Sequence, residues 1–225
     1  MDLYFVPNDI EYTTLFSANG VPHYRIRTLV NNKGPRVTLI LRPSQESSFD
    51  TLIAEIEWKD WDTPGIIRSP LFSGAGQEMG MAGVGLKAVR YLYKRHRFSP
   101  SRYFVGDDAI EYRWKMMKEH GCMLTQADTR AEVACSMNVL SSEGFFAGEN
   151  KEVLRIQPCS VDIDLIILTF VMMEIKRRRK YGGTFVEEAL HDEEPQGECD
   201  GGGSGEGEGD VGADVGEVST MVGEL

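Results

Sequence analysis

Apolar and polar positions along the first 158 residues change over with the short period of extended chain. Between Leu52 and Trp58 the residues alternate: Leu52, Ala54, Ile56 and Trp58 fall on one side, and Ile53, Glu55 and Glu57 on the other. Successive side chains of a strand point to opposite faces, so this pattern predicts a strand with one buried side. Asp9–Ser17 and Val21–Leu29 read the same way, and the Asn19-Gly20 pair between them is a hairpin signal. Val37–Leu41, Gly65–Ser69, Arg102–Val105, Glu111–Met116, Met123–Ala127, Glu132–Val139 and Val153–Gln157 continue the series, with Gly106-Asp107-Asp108 as another hairpin turn. Leu86–Tyr93 fits either period and is read as a strand. Many short strands at regular spacing predict a barrel or sandwich.

The pattern changes at Val161. From Leu165 to Met173 nine residues are apolar or uncharged on every face. A helix without a polar face has to be buried all round, in protein or in lipid. A bilayer span takes about 20 apolar residues. Nine rise only about 14 Å, and Asp162, Asp164 and Glu174 bracket them closely. The prediction is therefore a core helix over about 161–180. Ser160 is the expected N-cap, the aspartates suit the positive end of the helix dipole, and Lys176 to Lys180 suit the negative end. Gly182-Gly183 stops the helix.

Charge then separates two regions. Residues 187–225 hold 13 acidic residues and no Lys or Arg, which leaves 22 acids against 24 bases over residues 1–186. The net charge of −11 thus belongs to the C-terminal stretch, and the expected folded domain, residues 1–182, is close to neutral. Residues 197–225 include 10 glycines. Such a composition cannot bury enough apolar surface to offset ordering entropy, so residues 183–225 are expected to form a disordered acidic tail.

Candidate chemistry is sparse. The four cysteines form no CxxC pair, no Asn-x-Ser/Thr acceptor is present, and the first residues lack the features of a secretory signal. An intracellular, cytoplasmic, monomeric protein is expected, with Cys122, Cys135 and Cys159 as core thiols. The Gly-rich stretch Ser73–Lys87 has neither P-loop nor dinucleotide spacing and reads as a loop. His23, His96, His120 and His191 show no metal spacing, Asp162, Asp164 and Glu174 miss the glycine of a calcium loop, and no nucleophile motif occurs. No cofactor or metal is implied and no enzyme is expected. Nucleic acid is disfavoured by a domain charge of only +2 and the lack of a binding motif.

Two basic clusters remain. Lys94, Arg95 and Arg97 lie between Tyr91/Tyr93 and Phe98, and Lys176, Arg177, Arg178 and Arg179 lie in the helix end. Both can hold an anionic headgroup by charge-assisted hydrogen bonds, or serve only as solvated and helix-capping charge. The second expectation is that the acidic tail engages a basic partner or masks these bases.

Several strings together resemble the DUF6593 family of basidiomycete fungal proteins: Ala54-Glu55-Ile56-Glu57-Trp58, Arg102-Tyr103-Phe104, Glu111-Tyr112-Arg113-Trp114-Lys115 and Asp164 to Glu174 with the basic run after it. The likeness spans about residues 10–180. That family is in turn similar to the tubby-like group, which includes LURP-one-related proteins and phospholipid scramblases. The resemblance implies a closed β-barrel of 10–12 mostly antiparallel strands around the C-terminal helix, and a binding module peripheral to anionic phospholipid. No tubby headgroup motif maps onto this chain residue by residue.

Overall fold

The computed structural model describes residues 1–30, 34–44, 49–72, 85–97, 99–118 and 121–182. The expected acidic tail and most of the Gly-rich stretch, like Phe98, His120, His191 and Cys199, lie outside the described residues. The described residues all fall in one compact unit.

Twelve strands make a single antiparallel sheet. They are β1 (Asp2–Val6), β2 (Tyr12–Phe16), β3 (Pro22–Leu29), β4 (Arg36–Arg42), β5 (Thr51–Trp58), β6 (Pro64–Arg68), β7 (Leu86–Lys87), β8 (Arg102–Val105), β9 (Glu111–Met117), β10 (Gly121–Gln126), β11 (Glu132–Leu140) and β12 (Asn150–Ile156). A short helix α1 (Ala88–Tyr91) follows β7, and α2 (Ile163–Tyr181) follows β12. The strand order is β7-β6-β5-β4-β3-β2-β1-β12-β11-β10-β9-β8. Two meanders, β1 to β7 and β8 to β12, are joined where β1 pairs with β12, Leu3 opposite Leu154. Gly20 in the β2–β3 turn has φ +78°, the conformation that Asn-Gly turns supply.

Helix α2 sits inside the curve of this sheet. Every residue from Asp164 to Ile175 is buried. Phe170 meets Phe5 of β1 and Trp114 of β9, each with ring centroids 5.8 Å apart. Mid-helix Thr169 returns its hydroxyl to Leu165 O at 2.8 Å and accepts from Trp114 Nε1 at 2.9 Å, so the indole N–H is satisfied inside the core. The all-round apolar sequence is thus buried in protein. Among the described residues no helix is long and apolar enough to cross a membrane.

Four expectations change. The ladder does not close: β7 and β8 are the two edges of the sheet. The chain leaves β7 after two residues because Ala88–Tyr91 turn into α1, where Tyr91 packs against Phe72 and Phe104 at 4.7 and 5.9 Å. A single Tyr93–Tyr103 bridge then links this segment to β8. Leu86–Tyr93 is therefore strand for only two residues. Secondly, a register shift opposite Ile40/Leu41 turns Ile53 inward with Ala54 and leaves Leu52 43% exposed, so the alternation of β5 starts one residue late. Thirdly, the N-cap is Asp162, whose carboxylate accepts from Asp164 N at 2.9 Å, because Ser160 Oγ is bonded to Asp108. Lastly, Cys122 and Cys135 are buried as expected, but Cys159 is exposed, in the connection that carries the chain out of the sheet before α2.

Candidate functional site

The five consecutive bases of α2 are separated by the 100° step of the helix, and they do different work. Arg177 and Arg178 turn toward the sheet. Arg177 is 1% exposed and donates from Nε and Nη2 to the two oxygens of Glu174 at 2.7 and 2.6 Å. Arg178 donates to Glu174 Oε1 at 2.8 Å, to Glu152 Oε2 of β12, and to Asn8 O at 3.1 Å in the β1–β2 connection. Cys122 of β10 faces the same cluster, its Sγ 3.6 Å from Glu174 Oε2. Burial and then the Glu174 charge push the Cys122 thiol well up, so it stays neutral. Burial and the neighbouring Glu174 charge also raise Glu152 to about 7, against the opposing pull of Arg178 and Arg177. Glu152 Oε1 is buried without a hydrogen-bond partner among the described residues. Arg177 and Arg178 are therefore parts of a buried lock that ties α2 to β12, β10 and the β1–β2 connection. Their expected role as headgroup ligands does not fit this burial.

Lys176, Arg179 and Lys180 face outward. Lys176 Nζ is 3.9 Å from Asp62, and its side chain is 25% exposed. Burial lowers the Lys176 pKa, the positive charges of Arg102, Lys94 and Lys180 act in the same direction, and Asp62 opposes them. Three chain segments far apart in sequence thus bring cations to the end of the fold where α2 finishes. Arg102, at the start of edge strand β8, is half-buried, and its bonds run to the Ser99 and Ser101 carbonyls at 3.5 and 3.2 Å. Lys94 is exposed and donates to Arg97 O at 3.1 Å. Arg95 is held elsewhere, paired with Glu111 on the outer face and with its guanidinium 4.6 Å from the Tyr103 ring. Arg97 is exposed. Arg179 pairs with Glu11 at 3.2 Å and lies 5.2 Å from the ring of Trp61.

The predicted clusters therefore merge in part. Lys94 joins Lys176 and Lys180, while Arg95, Arg177 and Arg178 are committed to carboxylates. Arg102 was missed from the sequence because a single Arg opening a strand carries no signal of its own. Its place beside Lys176 follows from the sheet order, which makes β8 an edge.

The opposite end of α2 is balanced. Asp164 is 5% exposed, accepts from Tyr24 Oη at 2.7 Å, and pairs with Arg42. Burial and this bond push the Tyr24 hydroxyl pKa up, so it remains a donor. A groove of about 650 Å³ lies alongside, lined by Pro22, His23, Arg42, Pro43 and Ile163 among others. A smaller one of about 410 Å³ lies between Asn8–Glu11 and the last turns of α2. Among the described residues no three His, Cys, Asp or Glu side chains are grouped as metal ligands.

A family model for DUF6593, described as a family of unknown function, matches residues 8–179, so the chain belongs to that family. No curated protein and no solved structure matches the chain.

Proposed function

We propose that this DUF6593 protein is a non-enzymatic module of the tubby-like kind, its sheet acting as a barrel around α2, and that it binds anionic phospholipid at a membrane surface. The contact is the end of the fold where Lys94, Arg102, Lys176 and Lys180 converge, with Arg97 and Arg179 beside them. One observation carries this reading. Lys176 lies among three further cations, Arg102, Lys94 and Lys180, and its own ion-pair partner, Asp62, is 3.9 Å away. Structural ion pairs neutralise themselves, as Glu174 and Arg177 do. A set of like charges held together is costly unless an anion comes to it. Phospholipid headgroups supply that anion, and each base near an anionic surface contributes about 1 kcal/mol, falling with salt.

The test is co-sedimentation of the full chain with phosphatidylcholine vesicles, with and without phosphatidylserine, at low and physiological salt. Binding only to the anionic vesicles, weakened by salt and by Lys176→Glu, supports the reading. Equal partition with both vesicle types, or binding insensitive to charge reversal at Lys94 and Lys176, overturns it.

A further inference from the structure

Trp61 differs from the other two tryptophans. Trp58 is 3% exposed and donates Nε1 to Thr38 at 2.8 Å, and Trp114 is fully buried and bonded to Thr169. Trp61 is 64% exposed. Among the described residues its indole N–H has no hydrogen-bond partner. It lies in the β5–β6 turn, one residue before the Asp62 that pairs with Lys176.

The ring is nevertheless held. Arg36 Nη1 donates to Trp61 O at 2.8 Å, fixing the backbone that carries it. The Arg36 guanidinium is 5.9 Å from the Trp61 ring and 5.0 Å from that of Trp58, and Arg179 is 5.2 Å from the Trp61 ring. Cation–π contact of this kind orients an indole without burying it. Arg36 is itself 9% exposed and paired with Glu11, so it is part of the frame. Beside it, Leu29 at the end of β3 stands opposite Val37 and is 54% exposed, and Val30 is 67% exposed. Single exposed apolar residues are ordinary on a protein surface. Here a clamped indole, two aliphatic side chains and the basic cluster share one end of the fold. An indole has an apolar body and one N–H donor, which is the chemistry of the bilayer interface between headgroup and acyl chain.

We infer that Trp61 is a membrane anchor, inserting its ring below the headgroup layer while Lys94, Lys176 and Lys180 engage the headgroups. This rests on the reading above and adds depth of insertion to it. Charge alone gives a protein that rides on the surface and washes off with salt. An inserted indole gives a contact that persists when salt is raised.

The experiment uses the full chain, anionic phosphatidylserine-containing vesicles, and the same vesicles carrying acyl-brominated phosphatidylcholine, which quenches indole emission at short range. Trp58 and Trp114 are sealed in the fold, so bilayer quenching reports on Trp61. The expected result is a blue shift on binding and clear quenching by the brominated lipid. Both are lost in Trp61→Phe, which still binds, and Trp61→Ala binds roughly tenfold more weakly. Circular dichroism and the unchanged emission of Trp58 and Trp114 verify that the variants are folded. Sedimentation with the vesicles but no bromine quenching overturns the insertion and leaves surface binding standing. An absence of sedimentation overturns both. Quenching that survives in Trp61→Phe means that the fold opens on the membrane and also overturns the inference.

Discussion

The two ends of α2 solve the same problem differently. Each brings a buried carboxylate to the end of a helix sunk in a sheet. At the first, Asp164 is matched by one phenol and one arginine, and the Arg42 side chain is 53% exposed, so half of the pair stays in water. At the second, Glu174 and Glu152 face Arg177 and Arg178 with exposures of 10% or less throughout. Beyond this lock lie Lys176, Arg179 and Lys180, with Lys94 and Arg102 acting on Lys176, Asp62 paired with Lys176 and Glu11 paired with Arg179. The comparison teaches that charge at a helix end can be spent on internal order or left for a partner. In this chain the second end commits Arg177 and Arg178 to internal order and leaves Lys180 exposed, within five consecutive residues.

The largest expected effect is at the buried lock. Replacing Glu174 with Ala removes the buried carboxylate that Arg177 and Arg178 both bond and should cost about 3–5 kcal/mol. Asp164→Asn should cost less, about 1–3 kcal/mol, because Arg42 can turn to water. Urea unfolding of both variants against the wild type measures the two. Equal losses would erase the distinction between the ends. A Glu174→Leu/Arg177→Leu pair, which removes both charges, should recover much of the loss.

Next comes a pH effect. Glu152 lies near 4.5 when unpaired and is raised to about 7 in the fold. The folded state therefore holds its proton more tightly than the unfolded state does. The sign follows: this group favours folding most fully below pH 4.5, and that contribution is lost as pH rises toward 7. In Glu152→Gln the slope of stability against pH should lose about one proton across this window relative to wild type. Parallel denaturation series at several pH values check it, and identical slopes would place the Glu152 proton elsewhere.

The smallest effects on stability belong to the exposed bases. Lys94→Ala should change unfolding free energy by no more than about 0.5 kcal/mol, yet weaken vesicle binding by about 1 kcal/mol. Arg95→Ala, removing an exposed pair with Glu111, should leave vesicle binding within error. That contrast separates adjacent residues which the sequence presents as equivalent.

Much of the fold was legible because its signals are local. The apolar run Leu165–Met173 demanded burial on all sides, Asn19-Gly20 marked a hairpin, and extended-chain runs located ten of the twelve strands to within a few residues, β1 and β7 being the exceptions. The open edge was not legible, since Leu86–Tyr93 fits both periods and contacts with Phe72 and Phe104 decide it. The candidate site was legible in composition but not in arrangement. Glu174 stands three and four residues before Arg177 and Arg178, spacing that allows pairing, but the burial that makes the pairing obligatory comes from β12 and β10. The meeting of Lys94, Arg102 and Lys176 depends on the order of a twelve-stranded sheet, which no single segment encodes. Trp61 sits in a turn whose neighbours, Arg36 and Arg179, are 25 and 118 residues away in sequence.

The central claim is that one end of the fold, and not overall charge, meets the anionic surface. Two substitutions with the same change in net charge test it most directly. Lys94→Glu alters the basic end, and Arg130→Glu alters an exposed position in the β10–β11 turn, at the opposite end of the strands. In co-sedimentation with phosphatidylserine-containing vesicles, Lys94→Glu should lose most of its binding and Arg130→Glu should keep it. Equal losses from both, or none from either, would contradict the account.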